Sequence, residues 1–139
     1  MRYLGLDLGS RTLGVSVSDK TGLIASSYKT IHHNEEYDRL LEEVCQMIQE
    51  LEIDTVVLGF PKNMNNTIGP KGELSLLFKE KLEKMVSIPI ILQDERLTTK
   101  SATDLLIQGN VSRKDRKKVV DSVAATIILQ AYLDRREKE

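Results

Sequence analysis

The first 31 residues alternate between apolar and polar side chains, and this period of two is typical of β-strands. In residues 2–8 three leucines share one face of an extended chain, and Asp7 shares the other face with Tyr3 and Gly5. The alternation returns in residues 13–19 and, after the turn residues DKTG, in residues 23–31. The segment therefore predicts three consecutive antiparallel strands, with an acidic residue near the end of the first.

The remainder of the chain alternates between helical and strand patterns. Apolar residues with helical spacing cover residues 37–51, 74–85, 98–108 and 113–135. The runs TVVLGF at 55–60 and IPIILQ at 88–93 are typical of strands, and the first is apolar enough to be covered on both faces. We predict that Asn34 caps the first helix, that residues 61–73 form a polar loop, and that Ser112 begins the last helix.

This order of elements predicts an α/β fold. Three antiparallel strands are followed by two strands that right-handed helical crossovers place parallel to the first. The predicted sheet has five strands in the order 3-2-1-4-5, with strands 4 and 5 parallel to strand 1 and helices on its faces. At 139 residues the chain is expected to form one domain over residues 1–139.

Composition excludes several classes of protein. No run approaches the roughly 18 apolar residues of a membrane span, and residues 1–9 lack the apolar stretch of a signal peptide. We therefore expect a cytoplasmic protein without a membrane partner. Cys45 is the only cysteine, which rules out an intrachain disulfide and favours a role in core packing. The net charge of -1 gives no global attraction to nucleic acid, so local charge must decide that question.

Three acidic residues are expected to meet at one edge of the sheet. Asp7 ends the first strand and Glu95 follows the fifth, and the carboxyl ends of parallel strands lie along a common edge. Asp121 precedes Ala125 by one helical turn, at the head of a mostly apolar stripe that continues to Tyr132. Small residues at 124 and 125 would let this helix approach the sheet closely.

Carboxylates gathered in this way repel one another unless a cation joins them. Mg²⁺ and Mn²⁺ prefer oxygen ligands and often bind phosphate oxygens as well, which predicts phosphodiester hydrolysis with one or two metal ions. Each acid also has an ordinary alternative. Asp7 could be a turn residue, Glu95 could pair with Arg96, and Asp121 could pair with Lys117.

Basic and polar residues near these acids are candidates for binding nucleic acid. RKDRKK at 113–118 begins the helix that bears Asp121. A solvated helix end is the common role of such a run, but cations are unfavourable at a helix start, which adds weight to a binding role and leaves both interpretations open. The full candidate set is Arg11, Lys62, Asn63, Arg96, Arg113, Lys114, Arg116, Lys117 and Lys118. His32 and His33 are interpreted as surface residues. Few aromatic residues are available for base stacking, which favours recognition of shape and backbone.

Four segments together resemble the bacterial YqgF or RuvX-like family, whose members are described as Holliday junction resolvases and as pre-16S rRNA nucleases. They are GLDLGSRTLGVSVSD at 5–19, VVLGFPKNMNNTIGP at 56–70, DERLTT at 94–99 and DSVAATIIL at 121–129. The resemblance implies a ribonuclease H-like fold and makes Asp7, Glu95 and Asp121 the metal-binding catalytic acids. RuvC-type resolvases place an acid at the end of the fourth strand, where this chain has Gly59, Phe60 and Pro61, so Glu95 would replace it.

The resemblance favours a metal-dependent nuclease that processes the 5′ end of precursor 16S rRNA, as a monomer or weak homodimer. The first alternative is a resolvase of four-way DNA junctions, and the second is a non-catalytic RNA-binding module. The segment DLGS at 7–10 also resembles the phosphate-binding hairpin of actin-like ATPases and sugar kinases. Those folds need two such domains around a nucleotide, and this chain is expected to form one.

Overall fold

The computed structural model of the chain describes residues 1–61, 68–94 and 113–137, with the main chain alone for 113–122 and 137. The strands are β1 (Tyr3–Leu8), β2 (Thr12–Ser18), β3 (Ala25–His32), β4 (Thr55–Phe60) and β5 (Ile90–Asp94). The helices within this part are α1 (Tyr37–Glu50), α2 (Pro70–Glu83) and α3 (Arg113–Glu137). The predicted helix over 98–108 and its neighbour Ser112 lie outside the described residues.

The five strands form one sheet in the order β3-β2-β1-β4-β5. β1 pairs with β2 in antiparallel fashion and with β4 in parallel fashion, and β4 pairs with β5 in parallel fashion. The predicted sheet order and strand directions are therefore confirmed. β1 occupies the centre, because the antiparallel half and the parallel half of the sheet both pair with it.

The two faces of the sheet bury different helices. Leu4, Leu6 and Leu8 of β1 belong to a large core with residues of α1 and α2, among them Val44 and Phe78. On the opposite face Tyr3 and Val57 pack against Ile128, Leu129 and Leu133 of α3. All six residues of β4 are buried, as its continuous apolar run predicts. The side chains of β1 thus alternate between a face under α1 and α2 and a face under α3.

Helix α3 lies unusually close to the sheet at Gly5. A Cβ added at Gly5 would collide with Ser16 Oγ and would lie 2.8 Å from Leu129 Cβ and 3.1 Å from the carbonyl oxygen of Ala125. The Ser16 hydroxyl donates a buried hydrogen bond of 2.8 Å to that same carbonyl. The absence of a side chain at Gly5 lets the helix backbone reach β2, and the hydroxyl satisfies a helix carbonyl there.

A second contact fixes the far half of α3 to β3 and the turn before it. Gln130 Oε1 accepts the Ala25 N–H at 2.8 Å, and Gln130 Nε2 donates to the Leu23 carbonyl at 2.9 Å. One side-chain amide therefore satisfies a donor and an acceptor of the main chain where β3 begins. Together with the Ser16 bond, it fixes the position of α3 along the antiparallel strands.

The structure corrects two predicted helix starts. Asn34 does not cap α1; Glu36 occupies that position without a side-chain capping bond, because Glu35 adopts a φ of 58° and turns the chain before the helix begins. Helix α2 begins at Pro70, so the predicted polar loop over 61–73 is too long. Proline suits a first helical position, and a Cβ at Gly72 would press on the Phe60 ring and the Pro61 carbonyl. Within the described residues no helix is long and apolar enough to cross a membrane.

The close approach at Gly5 predicts a measurable cost for a single methyl group. Gly5→Ala should lower the free energy of unfolding by about 1–3 kcal/mol, because the added Cβ overpacks the contact with α3. Urea unfolding of Gly5→Ala, Ser16→Ala and the double variant tests this. Removal of the Ser16 hydroxyl relieves the nearest collision, so the double variant should lose less stability than the two single losses added together. Strict additivity would contradict the proposed contact.

Candidate active site at the carboxyl edge of the sheet

Asp7 lies at the carboxyl end of β1, half-buried in the middle strand of the sheet. Its residue number places it on the same face as Tyr3 and Gly5, which is the face that α3 covers. A carboxylate at this position offers oxygen atoms at the edge where the parallel strands end. The structure therefore places Asp7 at the predicted edge and on the side of α3.

The strands on either side of Asp7 carry no side chain at its level. Asp7 pairs with Gly14 of β2. The register of β1 with β4 puts Leu6 opposite Leu58, so the next residue, Gly59, lies at the level of Asp7. Glycine within a strand weakens the sheet and often marks a site where another group approaches closely. The positions on β2 and β4 at the level of Asp7 are therefore both glycines.

Helix α3 crosses this face antiparallel to β1. The Tyr3 ring lies 5.9 Å from the Tyr132 ring and has the Arg136 guanidinium 5.0 Å from its centroid. Two residues further along β1, Gly5 contacts Leu129 and Ala125. Residue numbers on the helix thus fall as those on the strand rise. The N-terminal part of α3 therefore lies toward the carboxyl edge of the sheet.

The turn from β1 to β2 is held by the segment that leads into α1. The Gly9 N–H donates to the Thr12 carbonyl at 2.8 Å and closes the turn. Its three carbonyls at positions 9, 10 and 11 accept hydrogen bonds from His33 Nε2, the Glu35 N–H and the His33 N–H, at 2.9, 3.3 and 2.9 Å. Each of these three carbonyls in the turn after Asp7 therefore has a hydrogen-bond partner.

His33 is a buried residue, which corrects its interpretation as a surface histidine. Only 8% of its surface is exposed, whereas His32 is exposed as predicted. A carbonyl only accepts, so Nε2 carries the proton in its bond to Gly9. Nδ1 has no hydrogen-bond partner within the described residues, and the ring meets Tyr37 edge-on at 5.5 Å. His33 therefore connects the turn beside Asp7 to the start of α1.

The other predicted site residues fall into three groups. Arg11 is exposed in the turn beside Asp7. Asp121 and the basic run Arg113, Lys114, Arg116, Lys117 and Lys118 belong to the N-terminal part of α3, where the structure describes the main chain alone. Lys62, Asn63, Glu95 and Arg96 lie outside the described residues, although Glu95 directly follows Asp94 of β5. Among the described side chains no three His, Cys, Asp or Glu residues lie close enough together to hold a metal ion.

Sequence reasoning missed the roles of His33, Gly14 and Gly59. A signal for His33 was present, since Ile31 is buried and the next residue on the same face of an extended chain is 33. The two glycines are visible in the sequence, but their placement beside Asp7 depends on the register between strands. That register is a property of paired strands, and the sequence of one strand alone does not contain it.

A pair of neighbouring histidines tests the role of the buried ring. His33→Leu should lower the free energy of unfolding by about 1–3 kcal/mol, because the Gly9 carbonyl loses its partner. Hydrogen exchange at the Gly9 amide should accelerate as the turn loosens. His32→Leu is the control, and its effect should stay within about 0.5 kcal/mol, as is usual at an exposed position. Equal losses in urea unfolding would contradict the assignment.

Comparisons with known proteins fit this architecture. The family described as "RuvX: Holliday junction resolvase" matches residues 1–135. A protein of Geobacillus sp. (strain WCH70) is 51% identical over 138 residues, which are 99% of this chain and 100% of that protein. One of Bacillus subtilis (strain 168) is 53% identical over 135 residues, which are 96% of this chain and 98% of that protein. Both are named "Putative pre-16S rRNA nuclease".

A solved structure supports the fold. "T. thermophilus RuvC in complex with Holliday junction substrate" matches with a TM-score of 0.63 and 16% identity, covering 99% of this chain and 96% of that chain. The likeness shows a RuvC-like ribonuclease H fold, as the resemblance implied. Because about half of its residues are identical to those of the relatives above over nearly its whole length, the chain belongs to the RuvX family.

Proposed function

We propose that the protein is a metal-dependent nuclease that hydrolyses phosphodiester bonds through Asp7, Glu95 and Asp121. The observation that carries the proposal is the half-buried carboxylate of Asp7 at the carboxyl end of the central strand, flanked by two glycines. The carboxylate lies where the parallel strands end, which is the edge at which ligands bind in open α/β sheets. The names of the RuvX relatives point to the same chemistry.

The direction of α3 supports Asp121 as the second acid. From Gly5 to Asp7 the strand advances by about 7 Å, which equals the rise of four to five helical residues. Ala125 contacts Gly5, and Asp121 precedes Ala125 by four residues along the same helix. This advance favours a location of Asp121 at the level of Asp7.

The alternation of β5 supports Glu95 rather than Asp94 as the third acid. Leu92 packs with the core under α1 and α2, and Asp94 shares its parity. Gln93 pairs with Gly59, which lies at the level of Asp7. Two positions beyond Gln93, an extended chain returns its side chain to the same face. By this parity Glu95 is the acid that would share the side of Asp7.

The chemistry of these donors fits a hard divalent cation. Three carboxylates supply only oxygen atoms, which Mg²⁺ and Mn²⁺ prefer, and water and phosphate oxygens often complete the coordination of these ions. A divalent ion held there would supply the Lewis acidity for hydrolysis of a phosphodiester. The fold of the protein would orient the three acids, which come from separate parts of the chain. The fixed turn after β1 keeps Asp7 in place when the substrate binds.

Basic residues along the same edge would hold the nucleic acid. We assign phosphate binding to Arg11, Lys62, Asn63, Arg96, Arg113, Lys114, Arg116, Lys117 and Lys118. Arg11 follows Asp7 by four residues in the turn, and the basic run opens the helix that carries Asp121. Cations at these positions would neutralise backbone phosphates and steer a polyanion toward the acids.

The substrate we propose is the 5′ end of precursor 16S rRNA. The relatives at about half identity are named for pre-16S rRNA. The family description favours a second candidate, a four-way DNA junction. Symmetric junction cleavage needs two active sites and hence a dimer, whereas RNA trimming needs one site.

Substitution of each acid tests the nuclease assignment. Asp7→Asn, Glu95→Gln and Asp121→Asn should each lower Mg²⁺- or Mn²⁺-dependent cleavage at least about a hundredfold, because each removes a charged ligand. Cleavage of precursor rRNA and of a four-way DNA junction should be measured side by side with purified protein. We expect cleavage of the RNA and none of the junction.

Two variants provide matched controls. They are Asp134→Asn and Glu50→Gln. Asp134 lies on the same helix as Asp121 but near its exposed C-terminal end, and Glu50 is the exposed last residue of α1. Both should cleave at the rate of the unmodified protein. Undiminished cleavage by all three acid variants would refute the site. Cleavage of the junction alone would replace the RNA substrate with DNA.

Metal binding is also measurable without substrate. Mg²⁺ or Mn²⁺ at a hundred times its Kd should stabilise the folded protein by about 2.7 kcal/mol, and EDTA should reverse the shift in Tm. Asp7→Asn should lose this stabilisation, and Asp134→Asn should keep it. A metal-induced shift in Tm of the same size for Asp7→Asn would contradict Asp7 as a ligand.

A further inference from the structure

An open cleft of about 770 Å³ lies beside the turn that follows β1. One wall is the turn itself, with Gly9, Ser10, Arg11 and Thr12, and the second is Glu35 with Tyr37 at the start of α1. The third wall is the first turn of α2, with Pro70, Lys71 and Leu74. Because α1 and α2 pack on the face opposite α3, this cleft lies across the sheet edge from the face of Asp7.

The cleft lining includes two cations of different origin. Arg11 comes from the β1–β2 turn and Lys71 from the first turn of α2, and both are exposed. α2 begins here without a side-chain capping bond, so its dipole adds to the positive potential of the two cations. A phosphate group suits this lining, because the turn and α2 each supply a cation.

The cleft lining also includes apolar side chains and an aromatic ring that packs against the core. Tyr37 and Leu74 are half-buried, and both pack against the main core. His33 meets the Tyr37 ring edge-on at 5.5 Å, and His33 is itself bonded to Gly9 of the neighbouring wall. Burial, followed by the nearby Glu35 carboxylate, raises the pKa of Tyr37, so the ring stays neutral at physiological pH. A neutral, immobilised ring is suited to stack against a nucleobase.

The size and polarity of the cleft match one nucleotide. Its volume falls within the range of sites for small ligands, and its cationic and aromatic lining residues suit a phosphate and a base. Glu35 adds an exposed carboxylate to the lining, which can accept a hydrogen bond from a ribose hydroxyl. Gly9 lines the cleft and follows Asp7 by two residues, a separation of at most about 7 Å along the main chain. A nucleic-acid strand bound in the cleft would therefore continue toward Asp7.

We propose that this cleft binds one unstacked nucleotide of a single-stranded RNA, next to the phosphodiester bond that the acids address. Arg11 and Lys71 bind its phosphate, and Tyr37 with Leu74 receives its base. The proposal deepens the proposed function, on which the identity of the strand rests. It assigns to Lys71, Glu35 and Tyr37 a binding role in the selection of unpaired RNA.

Binding to a labelled six-nucleotide single-stranded RNA in EDTA, measured by fluorescence anisotropy, tests the cleft. Tyr37→Leu should raise Kd about five- to tenfold, since base stacking on an aromatic ring is lost. Tyr37→Phe keeps the ring and should stay within about twofold. Tyr28→Leu is the matched control, because Tyr28 is exposed on the edge strand β3. Amide NMR spectra of the variants verify that each is folded.

A second pair of variants tests the proposed phosphate contact of Lys71 without altering the Tyr37 ring. Lys71→Ala should raise Kd about threefold and flatten the salt dependence of binding by about one charge. Lys84→Ala, at the exposed C-terminal end of α2, should leave both quantities unchanged. Equal effects of Tyr37→Leu and Tyr28→Leu, together with equal effects of Lys71→Ala and Lys84→Ala, would overturn the proposal.

Two further ligands distinguish the source of the nucleotide. A DNA strand of the same sequence should bind more weakly than the RNA, and equal binding would overturn the role of Glu35 in selecting ribose. Adenosine monophosphate should compete only weakly, and competition at a lower concentration than the RNA itself would assign the cleft to a free nucleotide instead. Because no metal is present, cleft binding and the nuclease activity can fail independently.

Discussion

The contact between α3 and the sheet at Gly5 is the constraint on which the candidate site depends. Ser16 donates to the Ala125 carbonyl within a buried interface, and the missing side chain of Gly5 allows the helix backbone to come that near. Gln130 then fixes the same helix to the start of β3. Because the Ser16 bond holds the helix main chain at β2 and the Gln130 side chain holds the main chain at the start of β3, these bonds determine how far the N-terminal turns of α3 extend along β1. The level of Asp121 relative to Asp7 follows from them.

Asp7 shows how a charge is accommodated in the central strand of a sheet. The strand interior on the same face is filled by Tyr3 and closed by the helix over Gly5, whereas Asp7 lies at the open edge and remains half-exposed. Neighbouring glycines give up packing on that face, and glycine in a strand costs stability relative to a larger residue. The turn beyond compensates locally, since all three of its carbonyls are bonded to the segment that precedes α1. The glycines beside Asp7 thus lower the stability of the sheet there, and the hydrogen bonds of the following turn offset part of that loss.

Much of this fold could be predicted from periodicity, because period-two and helical patterns differ and crossovers have one hand. The strands, their order and the predicted edge for Asp7 followed from these rules. The start of α2 did not, since glycine and proline at 69–72 resemble a loop until Gly72 is seen packed on Phe60. The interpretation of His33 as a surface residue was wrong for a similar reason. Its partner, the Gly9 carbonyl, is 24 residues away, and a single sequence contains no direct record of such a pairing.

The two sides of the sheet edge divide the proposed tasks by their chemistry. On the side of α3 the acid offers carboxylate oxygens and the glycines add no apolar side chain, which suits charge and water. On the side of α1 and α2 the cleft provides a ring, a leucine and two cations, which suits a base and a phosphate. The turn at Gly9–Arg11 borders both sides, and His33 makes it rigid. A strand that crosses this turn would therefore present its backbone to the acid on one side while its base is held on the other.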